Sequence, residues 1–265
     1  MRGFLRYLPI AAHLMRTSVV VQAQYRFEFA LQVMMAAFWV SWQVAPIWIV
    51  FDIRPSVAGW TREQAMLVMA FFVILRAMID GVVSPNLNAL VSHIRLGTFD
   101  FILLKPIDTQ LLVSLSKVVP ARIVDLACGL GIAAWAISHI ASPPSVASLF
   151  AGAVMLLAGA MTIYSIWLLI SCSAFWFVKV DNLTYLFGSV FDAARWPISM
   201  FRGWVRIVLT FVIPVAIMTS YPALALLGQL ALDRAMIAWA TALVLLVASR
   251  LVWQWAVAHY SSASS

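Results

Sequence analysis

The sequence predicts an all-α polytopic membrane protein, and three observations carry that prediction. Of 265 residues, 64% are hydrophobic and only 10% are charged. A soluble domain carries about 25% charged residues, so a chain this apolar has lipid as its bulk solvent. Its mean hydropathy is +0.99. Apolar runs long enough to cross a bilayer alternate with short polar breaks, the pattern of helices linked by loops. The net charge of +7 would suggest nucleic acid in a soluble protein; here it fits loops retained on the cytoplasmic side, and no nucleic-acid partner is expected.

Residues 1–24 read as an interfacial amphipathic helix. Arg2, Arg6, His13 and Arg16 fall within about 80° of one another at about 100° per residue, and Phe4, Leu8, Ala11, Leu14 and Met15 lie elsewhere. These basic residues interrupt any apolar leader core, so no cleavable signal peptide is expected. The first span is read as Phe27–Phe51 and the second as Glu63–Val83, joined by a loop containing "RPSVAGW". A polar segment over 85–108 follows. Ser84-Pro85 opens it as an N-cap and a first-turn proline. Leu87, Leu90, Val91 and Ile94 form an apolar stripe, and Gly97 is placed as the C-terminal stop. The expectation is a short amphipathic helix parallel to the membrane. The third span is read as Gln110–Ile140, the fourth as Val146–Phe177 and the fifth as Thr184–Met200. Residues 201–234, apolar but broken by Pro214 and Pro222, read as a re-entrant or interfacial helical pair. The last span is Ala235–Ala258. The whole chain, 1–265, is one membrane domain of six spans with neither repeats nor low-complexity segments.

With the N-terminus inside, Arg2, Arg6, Arg16, Arg26, Arg95, Lys105, Lys117 and Lys179 face the cytoplasm. Arg54, Arg62, Arg202, Arg206 and Arg234 face out, so the tally of eight against five puts both termini inside.

Charges within spans are costly, at about 2.5–3.5 kcal/mol each, and need a reason. Arg76 and Asp80 are four apart, Arg122 and Asp125 three apart, and Asp192 and Arg195 three apart, so each pair shares a helix face. The first four are expected to meet in one polar cluster, either as a packing network or as a gate that touches substrate. No catalytic or metal constellation is found. The histidines His13, His93, His139 and His259 have no partner at ligand spacing, and neither a GxSxG elbow nor a Walker loop occurs. Cys128 and Cys172 lie singly in apolar runs, which implies neither a disulfide nor zinc. An intramembrane enzyme and a channel-like or scaffold subunit are the alternatives to a transport subunit.

Four stretches carry a family resemblance: "IRLGTFDFILLKPID" from Ile94, "FWFVKVDNL" from Phe175, "FRGWVR" before "PVAIMTSYPALALLG", and the tail "VWQWAVAHYSSASS". Together they resemble the ABC-2 type permeases, the membrane subunits of bacterial ATP-binding-cassette exporters, over essentially the whole chain. His259 departs from the arginine expected before Tyr260. The resemblance implies a permease of the bacterial cytoplasmic membrane with no cofactor of its own. ATP and Mg would sit on a partner ATPase present in two copies, beside a second, related but different permease chain. It also implies that 85–108 is a coupling helix, with Asn86, Leu90, His93, Arg95, Gly97, Asp100 and Lys105 serving the ATPase contact.

Overall fold

The structure is a computed structural model and describes residues 26–177 and 181–260. The surface helix expected over 1–24 lies outside these residues, as do Lys179 and the last five residues of the tail. Among the described residues every regular element is helical. One bridge, between Val57 and Trp60, closes the loop after the first helix. Five helices are long and apolar enough to cross a membrane, or six if one bent pair counts as a single span.

Helix α1 (Arg26–Ile53) and the last helix, α11 (Leu232–Ala258), lie outermost, with little of either buried inside the bundle. Helix α2 (Arg62–Met78) is the centre, with 11 of its 17 residues buried. Its start is fixed by Thr61. The Thr61 hydroxyl accepts the Gln64 N–H at 3.4 Å, and the Gln64 side chain accepts the Thr61 N–H at 3.2 Å, a reciprocal capping box.

The second span does not stop at Val83. A π turn (Ile79–Val83) leads straight into α3 (Ser84–Arg95), so 62–95 is one helical run of 34 residues, and the separate surface helix expected there is its continuation. Ser84 is helical rather than a cap, with φ −62° and ψ −45°. The reason is the way Pro85 is accommodated. Proline has no N–H for the turn before it. The Gly81 carbonyl in that turn instead accepts the Val119 N–H at 2.8 Å. Asn86, 2% exposed, completes the joint. Its amide donates to the carbonyls of Val82 and Lys117, both at 2.6 Å, and accepts the Lys117 N–H at 2.7 Å. Backbone groups freed inside a membrane must find such partners.

The same joint divides the expected third span. Helix α5 (Thr109–Leu115) ends before Lys117, and a 3₁₀ turn at Pro120–Arg122 starts α6 (Ile123–His139). Ser145 caps the long α7 (Val146–Cys172), accepting the Ser148 N–H at 3.1 Å. The expected fifth span is shorter than read. Helix α8 (Asp181–Phe191) passes into a 3₁₀ turn, Asp192–Arg195, and then Pro197 forces Trp196 into extended backbone with ψ 141°. Among the described residues it is not one of the helices long enough to cross. The segment after it is the expected helical pair, bent by 73°. The first leg is α9 (Gly203–Ile207) with a π turn to Val212, and the second is a π turn (Ala216–Ser220) with α10 (Tyr221–Leu226). Residues of the first leg are largely exposed and those of the second largely buried.

That second leg packs on α7 at two glycines. A Cβ on Gly159 would lie 2.8 Å from the Met218 carbonyl oxygen, and one on Gly152 would lie 2.7 Å from the Leu226 Cβ. Backbone oxygen cannot yield as a side-chain tip can. Gly159→Val is therefore expected to cost about 1–3 kcal/mol by overpacking and to lower the unfolding temperature of the purified chain. Gly131→Val, where no atom lies within 4 Å of the new Cβ, is the matched control. Equal melting of the two variants would contradict this packing.

Candidate functional site

The six charges singled out in the sequence line one cavity of about 720 Å³ between α1, α2, the start of α6 and the Asp192–Arg195 turn. Arg76 is its centre. Its Nε donates to Asp80 Oδ2 at 3.0 Å and its Nη1 to Asp192 Oδ1 at 3.2 Å. Arg195 lies 3.6 Å from Asp192 Oδ2 and donates from Nε to the Asp192 carbonyl at 2.7 Å. Its guanidinium stands 5.7 Å from the centre of the Phe72 ring. Arg122 pairs with Asp125 at 3.0 Å. The expected cluster of Arg76, Asp80, Arg122 and Asp125 thus shares a cavity but not a network, because Arg76 reaches Asp192 instead of Asp125. Three arginines and three aspartates leave the lining formally neutral. Trp39, Trp42 and Met35 of α1 form its facing apolar wall.

The loop after α3 lies at one end of the bundle. Gly97 has φ +66°, as its role as helix stop requires. Thr98 N–H bonds the His93 carbonyl at 3.0 Å and Gly97 N–H the Ile94 carbonyl at 3.2 Å, the paired bonds of a Schellman motif. His93 Nδ1 lies 2.8 Å from the Thr98 hydroxyl. Phe99, fully buried, sits in an aromatic cage of Phe175, Trp253 and Tyr260, with centroid separations of 5.5, 6.2 and 5.2 Å. A four-residue helix α4 (Asp100–Leu103) follows.

The other end of the loop is tied to α11. Arg250 Nη1 and Nη2 donate to Asp108 Oδ1 and Oδ2 at 3.1 and 2.5 Å, a bidentate pair, and Nη1 also reaches Gln110 Oε1 at 2.8 Å. Gln110 donates to the Tyr164 hydroxyl at 3.2 Å, and that hydroxyl lies 2.8 Å from Ser114 Oγ. Asp108 also caps α5 by accepting the Leu111 N–H at 3.1 Å.

The coupling residues named from the sequence part company here. Asn86 and Leu90 face inward, and Asn86 belongs to the joint with Lys117 rather than to a polar surface. Leu87, Leu90 and Val91 pack against the bundle, where a lipid-facing stripe was expected. Arg95 and Lys105 are exposed, and Gly97 and Asp100 are half-buried. The exposed tip is apolar: Leu96, Phe101 and Leu104 are 75%, 68% and 80% exposed. Phe99, Asp108 and Arg250 were missed. Arg250 was a readable signal, since no acid lies within four residues of it on its own span.

The Arg250 guanidinium on Asp108 holds its carboxyl below the usual range, against the opposing effect of partial burial. The Tyr260 phenol is pushed up by burial first and by the neighbouring Asp100 carboxylate second. A lowered carboxyl contributes stability that is complete above its ordinary pKa and lost as pH falls through the lowered value. The stability gap between the native chain and Asp108→Asn is therefore expected to stay constant from about pH 7 to about pH 5 and to close only in stronger acid. A gap already closing near pH ~6 in thermal unfolding would contradict it.

A family model described as ABC-2 family transporter protein matches residues 37–264. The chain belongs to that family. No curated protein and no solved structure matches it. The match runs from within α1 to the tail and so includes the loop and most of the cavity lining. It makes the chain the membrane subunit of an ABC transporter, a transport component rather than a catalytic one, and it implies partnership with an ABC ATPase. Membership and the apolar helices together make this a multi-pass membrane protein.

Proposed function

We propose that this ABC-2 permease forms one side of an export pathway at the charge-lined cavity and is driven through the loop 96–108 by a separate ATPase. The observation that carries the reading is the construction of that loop. Its tip presents Leu96, Phe101 and Leu104 to the outside of the bundle, while Phe99 and Asp108 anchor its two ends to α7 and α11. An element exposed at the tip and held at both ends passes a push into the helices behind it. Arg95 and Lys105 flank the apolar tip and suit an acidic rim on the ATPase. ATP and Mg belong to that subunit, in two copies.

Helix α1, which walls the cavity, carries exposed Met34, Phe38 and Trp42. A second permease chain, related to this one but different, completes the pathway across that face. The loop end and both termini are cytoplasmic, in the inner membrane, and the pair Gly203–Leu226 enters and leaves from the far side.

The test is a pull-down of the ATPase on membranes carrying each variant, with membrane abundance and transport measured on the same preparation. Gly97→Val places a β-branched side chain at φ +66° and distorts the helix exit. Arg95→Glu reverses an exposed charge, and is expected to weaken an interface contact by about 1–3 kcal/mol. Both variants are expected to reach the membrane at native abundance while losing ATPase capture and transport. Full capture and transport in both would remove the loop from the mechanism.

A further inference from the structure

A second cavity, of about 430 Å³, opens at the end of the bundle opposite the loop 96–108. Its charged groups are two arginines: Arg206 from the first leg of the bent pair and Arg234 from the first turn of α11. Gln64, Gln229 and Tyr221 supply further polar lining, and no carboxylate contributes to the wall. Glu63 nearby is engaged with Arg62 at 3.5 Å, and Asp233 does not line the cavity. Among the described residues neither Arg206 nor Arg234 enters an ion pair. The four arginines deeper in the spans (76, 122, 195 and 250) each hold an aspartate. The first cavity is thus self-neutralised, whereas this one keeps two uncompensated positive charges.

The leg that bears Arg206 adds the second half of the argument. Trp204, Ile207 and Phe211 give that leg an exposed apolar surface, at 74%, 59% and 79% exposure. Such a face lies in lipid while its polar side stays at the head-group level. Ile207 and Phe211 also line the cavity. The opening therefore runs from a basic polar seat to an apolar wall continuous with the bilayer.

We propose that this cavity seats a membrane amphiphile with an anionic head, a phosphate or carboxylate held between Arg206 and Arg234 with its chain along Ile207 and Phe211. The shared chemistry is an oxyanion on two guanidinium groups. It comes either from a bilayer lipid or from a soluble anion, and the apolar wall favours the lipid. This goes beyond the transport reading and stands or falls apart from ATPase coupling.

The test is native mass spectrometry of the detergent-purified full chain with short-chain phosphatidylglycerol, short-chain phosphatidylcholine and inorganic phosphate, each added separately. Phosphatidylglycerol is expected to bind, with phosphatidylcholine much weaker. Arg206→Gln/Arg234→Gln should weaken phosphatidylglycerol binding by about tenfold or more. Both side chains are exposed, so the double variant should melt like the native chain when no lipid is added. Arg54→Gln/Arg202→Gln removes two exposed charges that do not line the cavity and should leave binding unchanged. Equal binding of the two lipids would overturn the proposal, as would an unaffected Arg206/Arg234 variant or an equal loss in the control pair. Inorganic phosphate binding as tightly as phosphatidylglycerol would overturn the lipid assignment in favour of a soluble anion.

Discussion

Phe99→Ala is expected to be the most damaging single substitution in the loop, costing about 3–5 kcal/mol, the range for removing a buried phenylalanine. The ring is fully buried, and three aromatic neighbours, Phe175, Trp253 and Tyr260, close on it. No neighbour can fill the space without giving up its own edge-to-face contacts. The purified chain should melt several degrees earlier and ATPase capture should fall, because the loop then loses its fully buried anchor. Leu104→Ala is the discriminating companion. At 80% exposed, it contributes little to the fold and should lower capture without moving the melting temperature. Native-like melting of Phe99→Ala would show that the cage does not anchor the loop.

Arg76→Met is expected to be nearly as severe, by a different route. The substitution leaves Asp80 without its guanidinium partner at a depth where an uncompensated charge costs about 2.5–3.5 kcal/mol. Asp192 keeps Arg195 at 3.6 Å and is less affected. Membrane abundance should therefore fall in Arg76→Met and recover in Arg76→Met/Asp80→Asn, where both members of the pair are neutral. Abundance that stays low in the double variant would place the cost elsewhere than in the orphaned carboxylate. Transport per molecule in the recovered variant reads what the pair does beyond folding: recovery assigns it to packing, and loss assigns it to the pathway.

The contrast between these two sites also marks what the sequence could reveal. Arg76–Asp80, Arg122–Asp125 and Asp192–Arg195 are pairs within one helical turn, so helical geometry alone brings their side chains together. Gly97 was legible for the same reason, since an apolar stripe ending at a glycine is a local signal for a left-handed stop. The membership of Asp192 in the Arg76 network spans 116 positions, and the Asp108–Arg250 tie spans 142. Neither separation leaves a trace in local spacing. The span limits failed at prolines for a related reason. Pro85 reads as a helix start and Pro120 disappears within an apolar run. Which of them interrupts the chain depends on who supplies the missing bond, and Gly81, Asn86, Lys117 and Val119 settle that in three dimensions. Pro197 was readable and was overrun all the same: the span expected over Thr184–Met200 passes through it, although the residue before a proline avoids helical backbone, as Trp196 does.

The π turn at Ile79–Val83 has a geometric consequence of its own. Closing its bonds over five residues instead of four inserts one residue without ending the helix, and one residue is worth about 100° of rotation about the helix axis. The angular phase of everything beyond it is set by that insertion. Leu87, Leu90 and Val91 meet the bundle, and Gly97 releases the chain toward the aromatic cage, only with the extra residue in place. A shift of that turn back to ordinary α register would swing the whole loop end around the axis while leaving the helix unbroken. Asp80, one of the cavity charges, lies within that turn, so the same five residues set both the cavity's wall and the heading of the loop end, like one notch in a screw thread.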